Sequence, residues 1–236
     1  MNMVEYKKEL IKYYDNMAKT MKPREAELPK RKLSFITEFA TAESTILDIG
    51  CGNGEYSIPL AKRTMKVYAI DISDKMLKEI QARAESENIR NIETMNADAK
   101  NLHFKDGSFD VVFSYSTLYH IDDLDKTFRE VRRVLKKDGV FIFDMISKNS
   151  IGGVYYKKKY QIPQFFRSEN EIELLMKRNH LKVIRRHYFE LIPRFKIFIW
   201  VLNLKLGGRT LDEIISSLPF LRHFASRFVF ICKKVE

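Results

Sequence analysis

The chain has little cysteine, and its apolar runs are short. Cys51 and Cys232 are its two cysteines among 236 residues, and they have neither the spacing of a metal site nor that of a disulfide framework. No apolar run reaches the roughly 18 residues of a transmembrane helix. The first twelve residues mix charges freely, unlike a signal peptide. The sequence therefore predicts a reduced, cytoplasmic protein without a resident metal.

Glycine is also scarce, and a third of it is concentrated in one place. Of the nine glycines, Gly50, Gly52 and Gly54 stand within five residues. They follow a short apolar stretch that is typical of a buried strand, and they precede a helix predicted from about residue 53 to residue 63. Glycines allow positive φ and close approach of a ligand, and the free N–H groups of a helix start point to the same place. This stretch predicts a nucleotide-cofactor loop.

The loop differs from two common phosphate-binding loops. It has no Lys-Ser/Thr pair after its glycines, as a P-loop would, and it reads G-x-G-x-G, not the G-x-G-x-x-G of dinucleotide loops. With Asp48 before it, the sequence DIGCGNG resembles the first motif of the class I S-adenosylmethionine (SAM)-dependent methyltransferases. The resemblance implies that Gly50, Cys51 and Gly52 bind SAM.

Two acidic residues at predicted strand ends extend the resemblance. Asp71 ends an apolar stretch about 20 residues after the loop, where a carboxylate can bind both ribose hydroxyls. Ile72 and Met76 would then form apolar walls for the adenine ring. Asp98, with Ala99 beside it, follows the next strand, and the matching residue of the family takes the adenine amino group. An NAD-binding domain, or a sheet with no ligand, would leave both carboxylates as coincidences.

The motifs continue in the family's order through residue 146. The fourth predicted strand leaves Ser114 near the methionine end of the cofactor. The resemblance is to the broad methyltransferase type 11 group, which includes the ubiquinone- and menaquinone-biosynthesis enzymes. Apolar strands alternating with helices predict an α/β fold, a doubly wound and mostly parallel sheet. The family topology implies seven strands, with ligands beyond their carboxyl ends.

We expect three segments. Residues 1–43 form N-terminal helices, residues 44–147 form the SAM-binding core, and residues 148–236 complete the sheet. The last segment holds a strand from His180 to Ile192 and a final strand from Arg227 to Lys234. The residues between them predict a helical insertion, a substrate cap at about 193–225, with a capping box at Thr210 and Glu213.

The N-terminal helix, predicted over residues 5–21, carries an aromatic stripe. Tyr6, Leu10, Tyr13 or Tyr14, and Met17 lie on one helical face. The stripe is consistent with a helix docked on the sheet or with a lid over the cofactor. Related enzymes often bring an N-terminal tyrosine onto SAM, so the resemblance implies this role for Tyr14, and we place Tyr6 at the acceptor.

Positive charge is concentrated in the last segment. The chain carries a net charge of +11, and residues 148–236 contain 18 Lys and Arg against 7 Asp and Glu, whereas the rest is balanced. With the aromatic residues of the predicted cap, this suits a small or lipid-like acceptor and contact with a membrane surface. RNA held by Lys157–Lys159 and Arg185–Arg186 is an alternative, and a solvated basic face is a third.

The chemistry predicted for the site is methyl transfer. His120, after the fourth strand, is a candidate base for an oxygen nucleophile, or a structural residue at the strand–helix junction. Tyr115 and Tyr119 would wall the acceptor pocket. The acidic run at 122–125 suits a helix N-terminus better than a metal. We expect transfer from SAM to oxygen of a small or lipid-like molecule, with carbon as the other acceptor atom considered. RNA methylation and non-catalytic SAM binding are the alternatives.

Overall fold

The computed structural model describes residues 2–18, 20–21, 27–150, 153–154, 162, 164–189, 204–211, 214–215, 218 and 225–235. Its helices are α1 (Met3–Met17), α2 (Glu27–Thr37), α3 (Ser57–Ala61), α4 (Asp74–Ser86), α5 (Leu124–Val134) and α6 (Glu169–Arg178). Its strands are β1 (Thr45–Ile49), β2 (Lys66–Asp71), β3 (Ile92–Asn96), β4 (Phe109–Ser114), β5 (Leu135–Ile146), β6 (Leu181–Phe189), β7 (Lys205–Leu206), β8 (Arg209–Thr210) and β9 (Arg227–Lys234).

Seven of these strands form one sheet in the order β3-β2-β1-β4-β5-β9-β6. β1 to β5 run parallel to one another, and β9 runs antiparallel to both β5 and β6. The predicted α/β fold with a mostly parallel, seven-stranded sheet is confirmed. Because β9 is antiparallel, its first residue, Arg227, pairs with Ile146 at the end of β5.

Apolar residues cover both faces of the sheet, as a doubly wound arrangement requires. On one face, Phe128 of α5 and Met176 of α6 belong to a buried cluster with β4, β5 and β9. On the other face, Ile36 of α2 and Leu60 of α3 pack against β1, β4 and β5. The sheet is therefore rigidly supported from both sides, and its carboxyl edge supplies a fixed frame for the residues that follow each strand.

Two helices differ in their boundaries from the sequence predictions. α3 begins at Ser57 and not near residue 53, because the turn set by Gly54, with φ +80°, precedes it. α1 covers Met3–Met17, whereas the predicted N-terminal helix covered residues 5–21. α5 ends at Val134 because Leu135 is extended and already pairs with Phe109 of β4.

Much of the predicted substrate cap lies outside the described residues. Its aromatic positions 195, 198 and 200 do so, as does the lysine run at 157–159. In the part that is described, β7 and β8 form a small antiparallel hairpin around Gly207 and Gly208, both with positive φ. The hairpin was not predicted. Among the helices of the described residues, none combines the length and the apolarity needed to cross a bilayer.

Candidate active site

A cavity of about 510 Å³ lies at the carboxyl edge of the sheet. The segments after β1, β2, β3 and β4 form its floor, and residues of α1, α2 and β9 complete its wall. All but two of the residues selected from the sequence line this cavity: Tyr6, Tyr14, Gly50, Cys51, Gly52, Asp71, Ile72, Asp98, Ala99, Tyr115, Tyr119 and His120. Its volume is within the range of small-molecule sites in proteins.

The two exceptions are Met76 and Ser114, which lie behind the cavity wall. The Met76 side chain is fully buried in α4. Ser114 is fully buried as well, and its hydroxyl donates to the carbonyl oxygen of Ile49 at 2.9 Å. The structure thus gives Met76 a packing position and Ser114 a bond between β4 and β1. Ile72, which was predicted together with Met76, does line the cavity, and so does Ser116, two residues after Ser114.

The glycine loop is shaped by a close approach at Gly50. Gly50 has φ +73°, and its N–H donates to the carbonyl oxygen of Ile70 at 2.8 Å. A Cβ at Gly50 would lie 2.2 Å from the Thr117 hydroxyl oxygen, too close for any side chain. Glycine is therefore required where the loop after β1 meets the segment after β4. The contact fixes the loop relative to the rest of the cavity.

The carboxylate of Asp71 is held in place by two backbone donors. Its Oδ2 accepts from the Gly52 N–H at 3.0 Å, and its Oδ1 accepts from the Ser73 N–H at 2.9 Å. Burial raises the pKa of Asp71, although these two N–H groups lower it. Each carboxylate oxygen has a second lone pair. The group can therefore accept two hydroxyl donors from the cavity, as a ribose diol would supply.

Asp98 has a cationic partner that the sequence did not suggest. Lys7 of α1 donates from Nζ to Oδ2 of Asp98 at 2.9 Å, and the Lys100 N–H donates to Oδ1 at 2.9 Å. Burial raises the pKa of Asp98, but Lys7 and Lys100 hold it below its usual range. An adenine amino group on this carboxylate would have to share it with Lys7.

His120 lies between two tyrosines of α1. Its Nε2 is 2.7 Å from the Tyr14 phenol oxygen, and its carbonyl oxygen accepts from the Tyr6 hydroxyl at 3.1 Å. Burial lowers the pKa of His120 to about 3, so the ring is neutral at physiological pH. Tyr119, the residue before His120, is also buried. α1 thus closes the cavity over His120 with the aromatic stripe predicted from the sequence.

Asp48 forms part of the cavity wall, which its place in the glycine-loop motif did not indicate. It is 2% exposed at the end of β1 and lines the cavity. The Ser57 hydroxyl at the start of α3 donates to its Oδ2 at 2.6 Å. Burial raises the pKa of Asp48 to about 8, although the Ser57 bond lowers it. Asp48 is therefore largely protonated at neutral pH when the cavity holds no cation.

A buried charge cluster on the other side of the cavity was missed from the sequence. Asp144, at the end of β5, accepts hydrogen bonds from Lys32 of α2 and, at 2.5 Å, from Nη1 of Arg227. The Ser116 N–H donates to its other oxygen at 2.6 Å. Burial alone would raise the pKa of Asp144, but the charges of Lys32 and Arg227 lower it to about 2.

Other sequence candidates have structural partners. The acidic run behaves as a helix start, since Asp123 caps α5 by accepting from the Lys126 N–H at 3.0 Å. Arg185 forms two bonds of 2.6 Å with the carboxylate of Glu38. Arg186 lies 2.5 Å from a carboxylate oxygen of Glu173. Across the part of the chain that is described, no three His, Cys, Asp or Glu side chains are arranged to hold a metal ion.

Comparison with known proteins places this site in a large family. Residues 47–143 match the family described as methyltransferase domain. The chain is 30% identical to an uncharacterized protein of Methanocaldococcus jannaschii, over 95% of this chain and 90% of that protein. It is 36% identical to the malonyl-[acyl-carrier protein] O-methyltransferase of Geobacter sulfurreducens, but over 48% of this chain and 43% of the relative. For that relative and others like it, the chain spans under half of their length.

A solved structure extends the likeness to the fold of the whole chain. The geranyl diphosphate C-methyltransferase of Streptomyces coelicolor, in complex with Mg²⁺, geranyl diphosphate and S-adenosyl-L-homocysteine, superimposes with a TM-score of 0.72. The match covers 98% of both chains at 16% sequence identity. At this identity the likeness establishes the fold alone. The relatives methylate oxygen in one case and carbon in the other, so they leave the acceptor atom open.

Proposed function

The chain belongs to the class I SAM-dependent methyltransferases of the methyltransferase-domain family, and from that premise we propose that it methylates an oxygen atom of a small or lipid-like acceptor. One observation carries the proposal. The cavity that contains the glycine loop also contains a neutral, buried histidine, His120, among buried tyrosines. A buried aromatic pocket beside the cofactor loop suits a small acceptor that must lose a proton and stay shielded from water.

We assign the cofactor to the side of the cavity formed by β1, β2 and β3. Asp71 would accept the two ribose hydroxyls, Asp98 the adenine amino group, and Ile72 and Ala99 would pack against the ring. The donor set fits, because two carboxylates face one cavity and the glycine loop allows close approach. Bound SAM supplies a methyl group already activated on a sulfonium. The protein must then align the acceptor and exclude water.

We assign proton transfer to His120 and the acceptor walls to Tyr6, Tyr115 and Tyr119. A neutral imidazole can take the acceptor's hydroxyl proton at a ring nitrogen. Its low pKa makes His120 a weak base. Transfer of the methyl group would remove one positive charge from the cavity, and the proton taken up by His120 would replace it, so the net charge of the site would stay the same. The Tyr14 hydroxyl, bonded to Nε2, would hold the ring in position.

RNA as acceptor has less support. Arg185 and Arg186, two of the cations proposed to hold phosphates, are paired with carboxylates of the same chain. The lysine run and most of the predicted cap lie outside the described residues. Methylation of RNA, and contact of the cap with a membrane surface, stay predictions from composition.

Transfer of label from methyl-labelled SAM into fractionated cell extract tests the proposal. We expect label in the small-molecule or organic fraction, and expect NMR of the isolated product to place the methyl group on oxygen. A labelled methyl group on carbon would refute the proposed acceptor atom but would leave the enzyme class unchanged. Ribonuclease-sensitive label would replace a small acceptor by RNA. Absence of SAM binding by calorimetry would contradict the proposal as a whole.

A further inference from the structure

The residues assigned to the cofactor use one half of the carboxyl edge of the sheet. Asp71 and Asp98 follow β2 and β3, which lie at one end of the strand order. At the other end, β4, β5 and β9 bring Ser116 and Arg227 to the same edge, and both line the cavity. With the cofactor on the first half, the acceptor has the second half available.

Two cations face the cavity from this second half. Lys32 of α2 is 3% exposed and Arg227 is 6% exposed, yet both line the cavity. Both donate to the same oxygen, Oδ2 of Asp144, which is fully buried. The other carboxylate oxygen is held by the Ser116 N–H at 2.6 Å. The buried carboxylate of Asp144 therefore holds both cations in fixed positions on the cavity wall.

Tyr115 also holds Lys32 in position. Its Nζ lies 4.9 Å from the centre of the Tyr115 ring, which is a cation–π contact. The Tyr115 hydroxyl in turn donates to the Lys32 carbonyl oxygen at 3.0 Å. Such positioning is costly to build, since a buried cation is stable only where it is paired and hydrogen-bonded. Buried cations on a cavity wall are also the groups that bind anions most strongly.

Lys32 and Arg227 line the same cavity, so an anion that enters it can contact both side chains at once. The guanidinium of an arginine is a planar fork of N–H donors that matches a carboxylate or a phosphate, and the ammonium of a lysine binds either group as a point charge.

We propose that Lys32 and Arg227 bind an anionic group, a carboxylate or a phosphate, on the methyl acceptor. This inference rests on the proposed function, which places the acceptor in the same cavity. It gives the acceptor two ends: the anionic group at Lys32 and Arg227, and the methylated atom towards the cofactor. An uncharged acceptor would leave the two cations without this contact and should bind more weakly.

Binding of three matched probes to the wild-type protein tests the proposal. The protein is saturated with S-adenosyl-L-homocysteine and titrated with benzoate, phenyl phosphate and benzyl alcohol by calorimetry or ligand-observed NMR. We expect one or both anions to bind at least tenfold more tightly than the neutral alcohol. Preference between benzoate and phenyl phosphate then distinguishes a carboxylate from a phosphate. Equal binding of all three, or binding of none, would overturn the proposal.

Variants locate the binding. Arg227→Gln and Lys32→Gln should each lower the affinity for the preferred anion at least tenfold, because each removes one cation. The affinity for benzyl alcohol should stay unchanged. Arg185→Gln removes an equal charge at the exposed pair with Glu38 and should change nothing. Unchanged anion affinity in both cavity variants would overturn the assignment. If circular dichroism shows that Arg227→Gln does not fold, Arg227→Lys replaces it, because it keeps the charge beside Asp144. This variant should still bind the preferred anion more weakly than the wild type, because lysine lacks the planar guanidinium.

Failure of the proposed function gives a different pattern. A protein that does not bind S-adenosyl-L-homocysteine contradicts the methyl-transfer proposal, and the three probes are then titrated into the protein alone. A protein that binds the cofactor product but shows no preference for anions keeps its proposed function and loses only this inference.

Discussion

The phenol oxygen of Tyr14 lies 2.7 Å from Nε2 of His120, although the two residues are 106 positions apart in the sequence. The contact joins the N-terminal helix to the segment that follows β4. It brings the candidate lid residue and the candidate base into one hydrogen bond on the cavity wall. Both roles proposed for these residues can therefore be tested through this single contact.

Replacing His120 should separate turnover from cofactor binding. We expect His120→Ala to lower turnover by on the order of 10²-fold, the usual contribution of a general base, with SAM affinity nearly intact. Tyr14→Phe keeps the ring but loses the hydroxyl, and should lower turnover by only about fivefold, since one neutral hydrogen bond contributes about 1 kcal/mol. Single-turnover rates and calorimetry measure the two effects. Full activity of His120→Ala would leave His120 a structural residue.

The pH profile provides a second test of His120. Because burial lowers the pKa of His120 to about 3, its ring is already neutral at pH 5. Between about pH 5 and pH 8, the pH profile of wild-type turnover should therefore contain no inflection that comes from His120. Any inflection in that range should also be present in His120→Ala. An inflection near the ordinary histidine pKa, absent from the variant, would mean that the imidazolium is stable in the working enzyme.

Replacing Asp71 should damage cofactor binding specifically. The isosteric Asp71→Asn keeps the shape but loses the charge that accepts two hydroxyl donors. Hydrogen bonds to charged groups contribute about 1.5–3 kcal/mol, so we expect SAM affinity to fall by roughly 10- to 100-fold. Asp106→Asn, at an exposed pair with Arg133, is the control. Equal affinity of the Asp71 variant and the wild type, by calorimetry, would refute the ribose assignment.

The cavity residues that follow β1, β2 and β3 could be predicted from the sequence because their signals are local. Glycine spacing and a carboxylate after each apolar strand are visible in short windows, and parallel strands bring their ends to one edge. Met76 and Ser114 failed to reach the cavity for an equally local reason. In a strand or a helix, a shift of one position along the chain turns the side chain to a different face, so neighbouring residues can point to the cavity or to the core.

The charge cluster could not be predicted in this way. Lys32 and Asp144 are 112 positions apart, and Arg227 follows Asp144 by 83 positions. They meet because β9 turns back antiparallel beside β5 and α2 packs across the same end of the sheet. No short pattern encodes that meeting. The Lys7–Asp98 pair, 91 positions apart, was missed for the same reason.

Lys7 offers a test of competition for Asp98. Its ammonium bonds to the carboxylate that the adenine amino group is proposed to use, and it adds positive charge beside the site of a cationic cofactor. Both effects oppose SAM binding. Because the pair is exposed and such pairs contribute up to about 1 kcal/mol, Lys7→Gln should tighten SAM binding by up to about fivefold. Lys8→Gln, the next residue along α1, is the matched control. Weaker binding in the Lys7 variant alone would show that Lys7 assists the cofactor.

Asp48 predicts a pH dependence of stability. Burial raises its pKa to about 8 in the folded protein, above the roughly 3.9 of an unfolded chain. Between these two values the folded state holds a proton that the unfolded state has lost, so the free energy of unfolding falls as the pH rises from about 4 to about 8. The contribution is present in full below the unfolded pKa and is lost as the pH passes through the folded one. Asp48→Asn removes the ionisation and keeps an oxygen for the Ser57 hydroxyl.

Denaturant unfolding of the protein without cofactor, at pH 5, 6.5 and 8, measures this slope. We expect the wild type to lose a few kcal/mol over the range relative to Asp48→Asn. Asp106→Asn, at an exposed carboxylate, should follow the wild type. Saturation with SAM should reduce the difference, because a cation in the cavity stabilises the ionised Asp48. Parallel curves for the wild type and Asp48→Asn would mean that Asp48 is ionised in the folded protein throughout, with its charge balanced inside the empty cavity.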